Sequence, residues 1–310
     1  MTNISSKNVY TGIGLAVLAT IIWSGNFIIA RGAKDLIPPV TLAFYRWLTA
    51  TIILLPFVWK TFVSEFPIVK KKLFYFLLTS VTGVTMFNTF VYIAGHSTEA
   101  INMALLGTTT SPIMSVILAR IFLKESVPLH RIIGMIICIA GILLLLSKGH
   151  LSILLSFSFT TGDWWMLAAA LTFAIYNVMV KKKPTGISSK NFLFTIFMFG
   201  TLMLFPFYLF ELNHEGGFTI NLSNLTAIFY LGLGASVICF LLWNISITNL
   251  GAGRASLFGN LIPVFSAVEA VLFLHEKISV VHFLSFGLVV FGLIIANLHM
   301  KSLIQLVNKK

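Results

Sequence analysis

Ten stretches of predominantly apolar residues follow one another along the chain, at 9–30, 39–59, 73–95, 98–119, 130–147, 163–180, 190–210, 224–248, 253–274 and 279–298. Each is close to the roughly 20 residues that an α-helix needs to cross the hydrocarbon of a bilayer. Lipid offers no partner to a free N–H or C=O, so every one of these stretches has to be helical. The expected fold class is therefore all-α and integral to the membrane, with ten transmembrane helices. Of the 310 residues, 58% are hydrophobic and 10% charged, where soluble domains average about 45–50% and about 25%. That composition excludes a water-soluble, disordered or collagenous chain. The first stretch follows Lys7 as a signal peptide would, but it runs through Trp23 and Asn26 to Arg31 without a small-residue cleavage pattern, so it is expected to be retained.

The net charge of +12 does not point to nucleic acid, because the basic residues are scattered between apolar runs instead of lining one face or joining an RNA-binding motif. They sort by side of the membrane. Sixteen of them (Lys7; Lys60, Lys70, Lys71, Lys72; Arg120, Lys124, Arg131; Lys181, Lys182, Lys183, Lys190; Arg254; Lys301, Lys309, Lys310) fall on the side of the amino terminus. Four (Arg31, Lys34, Lys148, Lys277) fall on the other, and Arg46 lies inside a stretch. Basic loops stay cytoplasmic, so both termini are expected in the cytoplasm, in a multi-pass protein of the cell (inner) membrane. Cys138 and Cys239 lie in apolar stretches and read as small buried hydrophobes.

The chain also repeats itself. An offset of 151 places Ala104 on Ala255, Pro112 on Pro263, Ser115 on Ser266, Phe122-Leu123 on Phe273-Leu274, Glu125 on Glu276 and Gly141 on Gly292. In the earlier spans an offset of 150 places Arg31 on Lys181 and Pro56 on Pro206. Two repeats of five helices follow, 1–150 and 151–310. Five is odd, so the second copy enters the membrane inverted, an arrangement common in secondary transporters.

Three motifs carry a family resemblance: Trp23-Ser24-Gly25-Asn26-Phe27 ending at Arg31, Phe44-Tyr45-Arg46, and the twice-used block from Pro112 to Glu125 and from Pro263 to Glu276. Together they resemble the drug/metabolite transporter superfamily, EamA type, over nearly the whole chain. Lys124 and His275 stand where that family often has Gly, and Phe173 stands where the repeat copies Trp23. The resemblance implies a cofactor-free carrier of small polar metabolites, commonly amino acids or their derivatives, working by alternating access.

Polar side chains inside a bilayer usually face the bundle interior. Thr85, Asn88 and Tyr92, at i, i+3 and i+7, share one helical stripe. The 151 offset carries them to Ser236, Cys239 and Trp243. Asn102 and Thr109 share a face of the fourth helix, and Thr109 maps to Asn260. Trp23 and Asn26 correspond to Phe173 and Tyr176, with Asn177 beside them. These residues are the candidates for a substrate chamber walled by helices one, three, four, six, eight and nine, with aromatic faces for apolar or cation–π contact and amides and hydroxyls to orient the substrate. The same residue types also hydrogen-bond packed membrane helices to one another, and the sequence admits both readings. Pro112 and Pro263 are a paired interruption of the kind that marks transporter sites, or simple kinks. Trp59, Trp164 and Trp165 read as interfacial anchors.

Two charges lie within spans at similar depth, Arg46 and Glu269. They are candidates for an ion pair, for attraction of a charged substrate, or, at Glu269, for proton coupling; Arg46 could instead snorkel to the interface. Nine residues, about 900° of helix, separate Asn260 from Glu269, so a straight helix cannot turn both to one chamber. The seven histidines show no His-x-x-x-His spacing and the cysteines no Cys-x-x-Cys, so no metal site is expected. No Gly-x-Ser-x-Gly elbow or Walker loop occurs, which argues against an enzyme or an ATP-driven pump. The partners expected are a small-molecule substrate and membrane lipid. A nucleotide-sugar or phosphate-ester exchanger would need several chamber cations, and only Arg46 and Arg254 are near candidates. A lipid flippase or intramembrane enzyme is the alternative from another class.

Overall fold

The structure is a computed structural model that describes residues 6–33, 36–98, 100–155, 159–274 and 280–297. Ten helical spans cross it. They are α1 (Ser6–Ala33), α2 (Pro39–Lys71), α3 (Leu73–Ser80 continuing through Val81–Met86 and Phe87–Ser97), α4 (Ala100–Leu123), α5 (Leu129–Leu146), α6 (Thr161–Lys181), α7 (Ser189–Glu215), α8 (Leu222–Phe229 continuing through Tyr230–Ile238 and Cys239–Leu250), α9 (Ala252–Ser256, Leu257–Leu261 and Ile262–Leu274) and α10 (Val280–Asn297). Eight are long and apolar enough to span a bilayer unbroken, and α4 contributes the shorter apolar run Thr109–Leu123. In α9 the break has a local cause: Pro263 has no N–H, so the chain tightens into a 3-10 turn at Leu257–Leu261 and restarts with the proline at its second position.

The ends of α8 and α1 meet where Gly12 packs against Leu250, and the start of α9 meets the end of α10 where Arg254 Nε reaches Asn297 Oδ1 at 2.5 Å. The start of α1, the end of α8, the start of α9 and the end of α10 therefore lie at one end of the bundle, where Lys181 also reaches the Thr248 carbonyl. Large apolar side chains such as Phe57, Leu202, Phe210 and Phe283 point outward, exposed, as a lipid-facing surface requires.

Without a hydrophobic drive between helices in lipid, close packing of small residues holds them together. At the crossing of α5 and α10 a Cβ on Gly134 would lie 2.4 Å from the Gly292 carbonyl, and one on Gly292 would lie 2.6 Å from the Gly134 carbonyl. The 151 offset turns this contact into Gly141 against the Ser285 carbonyl, where a Cβ would stand at 3.0 Å. Cys138 Sγ donates to the carbonyl of its own counterpart, Val289, at 3.4 Å.

A second symmetric pair is α2 with α7. Glu65, near the end of α2, accepts hydrogen bonds from Ser188 N (3.0 Å) and Asn191 Nδ2 (2.7 Å) at the start of α7. Glu211, near the end of α7, accepts from Val40 N (3.0 Å) and Thr41 N (2.5 Å) at the start of α2. Each helix thus places a carboxylate at the positive dipole end of the other: Glu211 accepts two first-turn backbone amides of α2, and Glu65 accepts the N-cap Ser188 and the Asn191 side chain of α7. The repeat reaches down to backbone irregularity: π-helical turns occupy Val81–Met86 and Tyr230–Ile238, which overlap at the 151 offset.

Candidate functional site

The site is organised around Arg46. Its side chain is 1% exposed and reaches from α2 to the π-helical turn of α8 and to the α-helical part of α3 that follows its π turn. Arg46 Nε donates to Ser236 Oγ at 2.7 Å, and one terminal nitrogen donates to Asn88 Oδ1 at 2.9 Å and Tyr92 OH at 3.0 Å. The other donates to the Ala235 carbonyl at 3.1 Å. That carbonyl also accepts Trp23 Nε1 at 2.8 Å. The wider winding of a π turn displaces carbonyls from their usual helical donors, and Ala235 lies in such a turn. The guanidinium rests 4.9 Å from the ring of Trp47, a cation–π distance.

Beside it lies a cavity with about 80 Å³ open to the centre of a water molecule. Helices of both repeats wall it: Trp23 of α1, Arg46 of α2, Phe87 and Asn88 of α3, Ser111 and Pro112 of α4, Met166 and Phe173 of α6, Trp243 of α8, and Ser256, Gly259 and Ile262 of α9. Aromatic rings pack edge and face around one side, Trp23 to Trp243 at 5.0 Å, Trp23 to Phe173 at 5.9 Å and Phe87 to Phe173 at 4.5 Å. Asn177 fixes Trp243, accepting its Nε1 proton at 2.9 Å while its own amide donates to Ser115 Oγ at 3.1 Å.

The candidate residues fall into distinct groups. Trp23, Asn88, Trp243 and Arg46 line the cavity, and Tyr92 and Ser236 reach it through Arg46. Thr109 is half-buried one turn or less from Ser111 and Pro112. Tyr176 is fully buried and donates to Asn244 Oδ1 at 2.7 Å. The side chains of Asn26 and Asn102 lie outside the described residues.

Three placements differ from the expected chamber. Thr85 turns to α7, donating to the Gly200 carbonyl at 3.4 Å, because the π turn that follows Ser80 breaks the regular 3.6-residue stripe shared with Asn88. Asn260 is fully buried beside the Cys138 thiol of α5, and neither end of its amide has a well-formed hydrogen bond; the 3-10 turn rotates it away, leaving Gly259 and Ile262 as the cavity wall. Glu269 bonds to Ser24 Oγ at 2.6 Å while Arg46 is held by α3 and α8. Asn177 and Asn244, partners of Trp243 and Tyr176, carry roles that a single-helix stripe does not reveal, since both act across helices.

At the basic end α4 and α9 meet closely. Gly253 faces Val116 and Ala119, and Glu125 accepts the amides of Ala252 and Gly253 at 2.9 and 3.3 Å. Gly251 is required there: its φ is 95°, and a Cβ would lie 2.8 Å from the Glu125 carboxylate.

Ten apolar spans, two inverted copies and a cavity between them define an integral membrane transporter. The family model for the EamA-like transporter family matches residues 10–147 and again 160–298, so the chain belongs to that family. An "Uncharacterized transporter" of Archaeoglobus fulgidus is 31% identical over 267 residues, 85% of this chain and 89% of that one. A protein of Escherichia coli (strain K12) named "Probable amino-acid metabolite efflux pump" is 22% identical over 293 residues, 91% of this chain and 93% of that one. A solved crystal structure, 17% identical, superposes with a TM-score of 0.75 over 94% of this chain and 96% of its own, which speaks to the fold.

Proposed function

We propose that this transporter carries a small polar metabolite, an amino acid or a derivative, across the cytoplasmic membrane by alternating access, with both termini in the cytoplasm and the cavity at Arg46 as the substrate site. The observation that carries the reading is the lining of the cavity, which brings a buried guanidinium, aromatic rings and an amide to one space between the repeats. The wall offers matching chemistry: the Arg46 charge for a carboxylate, ring faces of Trp23 and Trp243 for an ammonium or apolar group, and Asn88 to orient either. The close packing of Gly253 against Val116 and Ala119 at the basic end supports reading this conformation as closed on that side. The name of the Escherichia coli relative favours amino-acid metabolites and the outward direction.

Counterflow of labelled amino acids in proteoliposomes tests this. Wild type exchanges at least one of them, and Asn88→Ala, which strips a partner from Arg46 and a polar group from the wall, slows exchange at least tenfold while the protein remains folded. Exchange of a nucleotide sugar without any amino acid would overturn the reading, and an unaltered Asn88→Ala would remove this wall from the substrate path.

A further inference from the structure

At the end of the bundle where Lys181 reaches the Thr248 carbonyl, two connections from different repeats lie side by side. Tyr75, at the start of α3, donates to the Met179 carbonyl near the end of α6 at 2.6 Å, and its ring lies 6.4 Å from that of Phe192 in α7. A Cβ on Gly186, between α6 and α7, would stand 3.0 Å from the Ile68 side chain of α2. The α2–α3 turn of the first repeat and the α6–α7 connection of the second therefore form one rim.

That rim is basic. Residues 60–74 and 181–191 carry eight lysines and a single acid, Glu65. Glu65 is engaged by Ser188 and Asn191 of α7, and Lys181 by the end of α8. Lys70, Lys71, Lys72, Lys182 and Lys190 are exposed and Lys183 is half-buried. Lys183 Nζ donates to Ser189 Oγ at 3.3 Å and Lys182 Nζ stands 5.8 Å from the Phe122 ring; neither contact supplies a negative charge. Like charges gathered in this way repel one another.

Two ordinary causes explain only part of the cluster. Basic loops stay cytoplasmic during insertion, but that bias acts on each loop separately and does not require the two richest loops to pack together. The dipole at a helix end favours Lys70 and Lys71 in the last turn of α2. It disfavours Lys190, which lies in the first turn of α7. Packing does not call for these charges either. At the 150 offset Lys70, Lys71 and Lys72 fall on Ile220, Asn221 and Leu222, and Lys182, Lys183 and Lys190 on Gly32, Ala33 and Val40. Beside the lysines, Phe66, Leu73, Phe74 and Phe122 are exposed, so the same rim presents cations and apolar rings together.

We infer that this rim is a binding site for an anionic phospholipid, whose phosphate-bearing headgroup meets the two lysine sets and whose acyl chains meet the exposed rings. A soluble polyanion would answer the charge and leave the rings against water; a lipid answers both. Bound there, it joins α2 and α3 of the first repeat to α6 and α7 of the second. Its assignment to the cytoplasmic leaflet rests on the orientation given above; the site does not.

The test uses purified, delipidated full-length protein in nonionic detergent, with dioleoylphosphatidylglycerol as the probe and zwitterionic dioleoylphosphatidylcholine beside it. A ligand of the folded state raises the thermal midpoint, so the anionic lipid should raise that of wild type by several degrees and the zwitterionic one should not. Lys70→Gln, Lys71→Gln and Lys72→Gln combined should abolish the rise, as should Lys182→Gln, Lys183→Gln and Lys190→Gln combined. Lys301→Gln, Lys309→Gln and Lys310→Gln, the same charge loss made outside the described residues, should leave it intact. Wild type in about 1 M salt, where the screening length is about 3 Å, should lose most of the rise, a measurement that needs no variant to fold. Equal rises with both lipids, a rise kept by both rim variants, or a rise that survives the salt overturns the site. Equal loss in the carboxy-terminal variant reduces it to net charge and overturns it too. A rise reproduced by inorganic phosphate or by water-soluble glycerophosphoglycerol overturns the lipid as the occupant.

Discussion

The outer helix pairs and the interior of this protein treat the same duplication differently. Where α5 crosses α10 each contact is returned by its counterpart, Gly134 on Gly292 and Ser285 on Gly141, and where α2 lies along α7 each helix reaches the start of the other with a carboxylate, Glu65 at α7 and Glu211 at α2, although the two carboxylates are not repeat equivalents. In the interior the backbone is still duplicated, π turn for π turn, but the chemistry is not. Arg46 falls on Ile196, Asn88 on Cys239 and Ser24 on Ala174. Close backbone packing constrains both copies alike, because neither helix of a tight pair can change without the other. A pocket that recognises an asymmetric molecule has no such obligation.

The sharpest break of this comparison is Gly292→Leu. Its Cβ would fall within 2.6 Å of a backbone carbonyl that cannot move without displacing α5, and overpacking of this kind costs about 1–3 kcal/mol, more where backbone must shift. We expect loss of monodisperse folded protein in size-exclusion chromatography. Gly287, on the same helix, meets nothing within 4 Å, so Gly287→Leu should elute as wild type. If the two substitutions behave alike, the α5 and α10 crossing is not the scaffold described.

Ten spans and their inversion were legible because bilayer thickness and backbone satisfaction leave a long apolar run few alternatives; the six helices expected to wall a chamber do border the cavity, but α2, which brings Arg46 to it, was not among them. Arg46 was visible as a charge inside a span, but not as the centre that gathers Asn88, Tyr92 and Ser236. Those partners come from α3 and α8, and only the fold brings them to one point. Thr85 and Asn260 went the other way. A stripe drawn on an ideal helix ignores the π turn at Val81–Met86 and the 3-10 turn at Leu257–Leu261, and each rotates a residue off the face that spacing assigns to it.

A smaller effect tests whether the α2 and α7 pair is symmetric in energy as well as in geometry. Glu65→Ala removes a charged acceptor from Ser188 and the Asn191 side chain, and Glu211→Ala removes one from the Val40 and Thr41 amides, each worth about 1–2 kcal/mol by the usual value of such caps and charge-assisted bonds. Thermal unfolding in detergent should therefore show two similar losses. A double variant should lose close to their sum, since the sites lie at opposite ends of the pair. A loss confined to one of them would show that the returned contact is decorative at the other end.

The smallest expected change is a gain. Lys124 closes α4 with a φ of 54°, a left-handed conformation in which its Cβ crowds the backbone, and the following N–H returns to the Ala119 carbonyl at 3.2 Å. Glycine adopts that conformation freely. Lys124→Gly relieves strain of about 1 kcal/mol, partly offset by the greater freedom of glycine in the unfolded chain, so a rise in thermal stability of a fraction of that size is expected. Glu125, one residue on, holds the α9 amides at 2.9 and 3.3 Å, so relaxing the turn also steadies the contact that closes the basic end. Exchange should then slow slightly even as the protein becomes more stable. A variant that is more stable and equally fast would separate the turn from the closing contact; one that is less stable would place the role of Lys124 in its charge and not in its backbone.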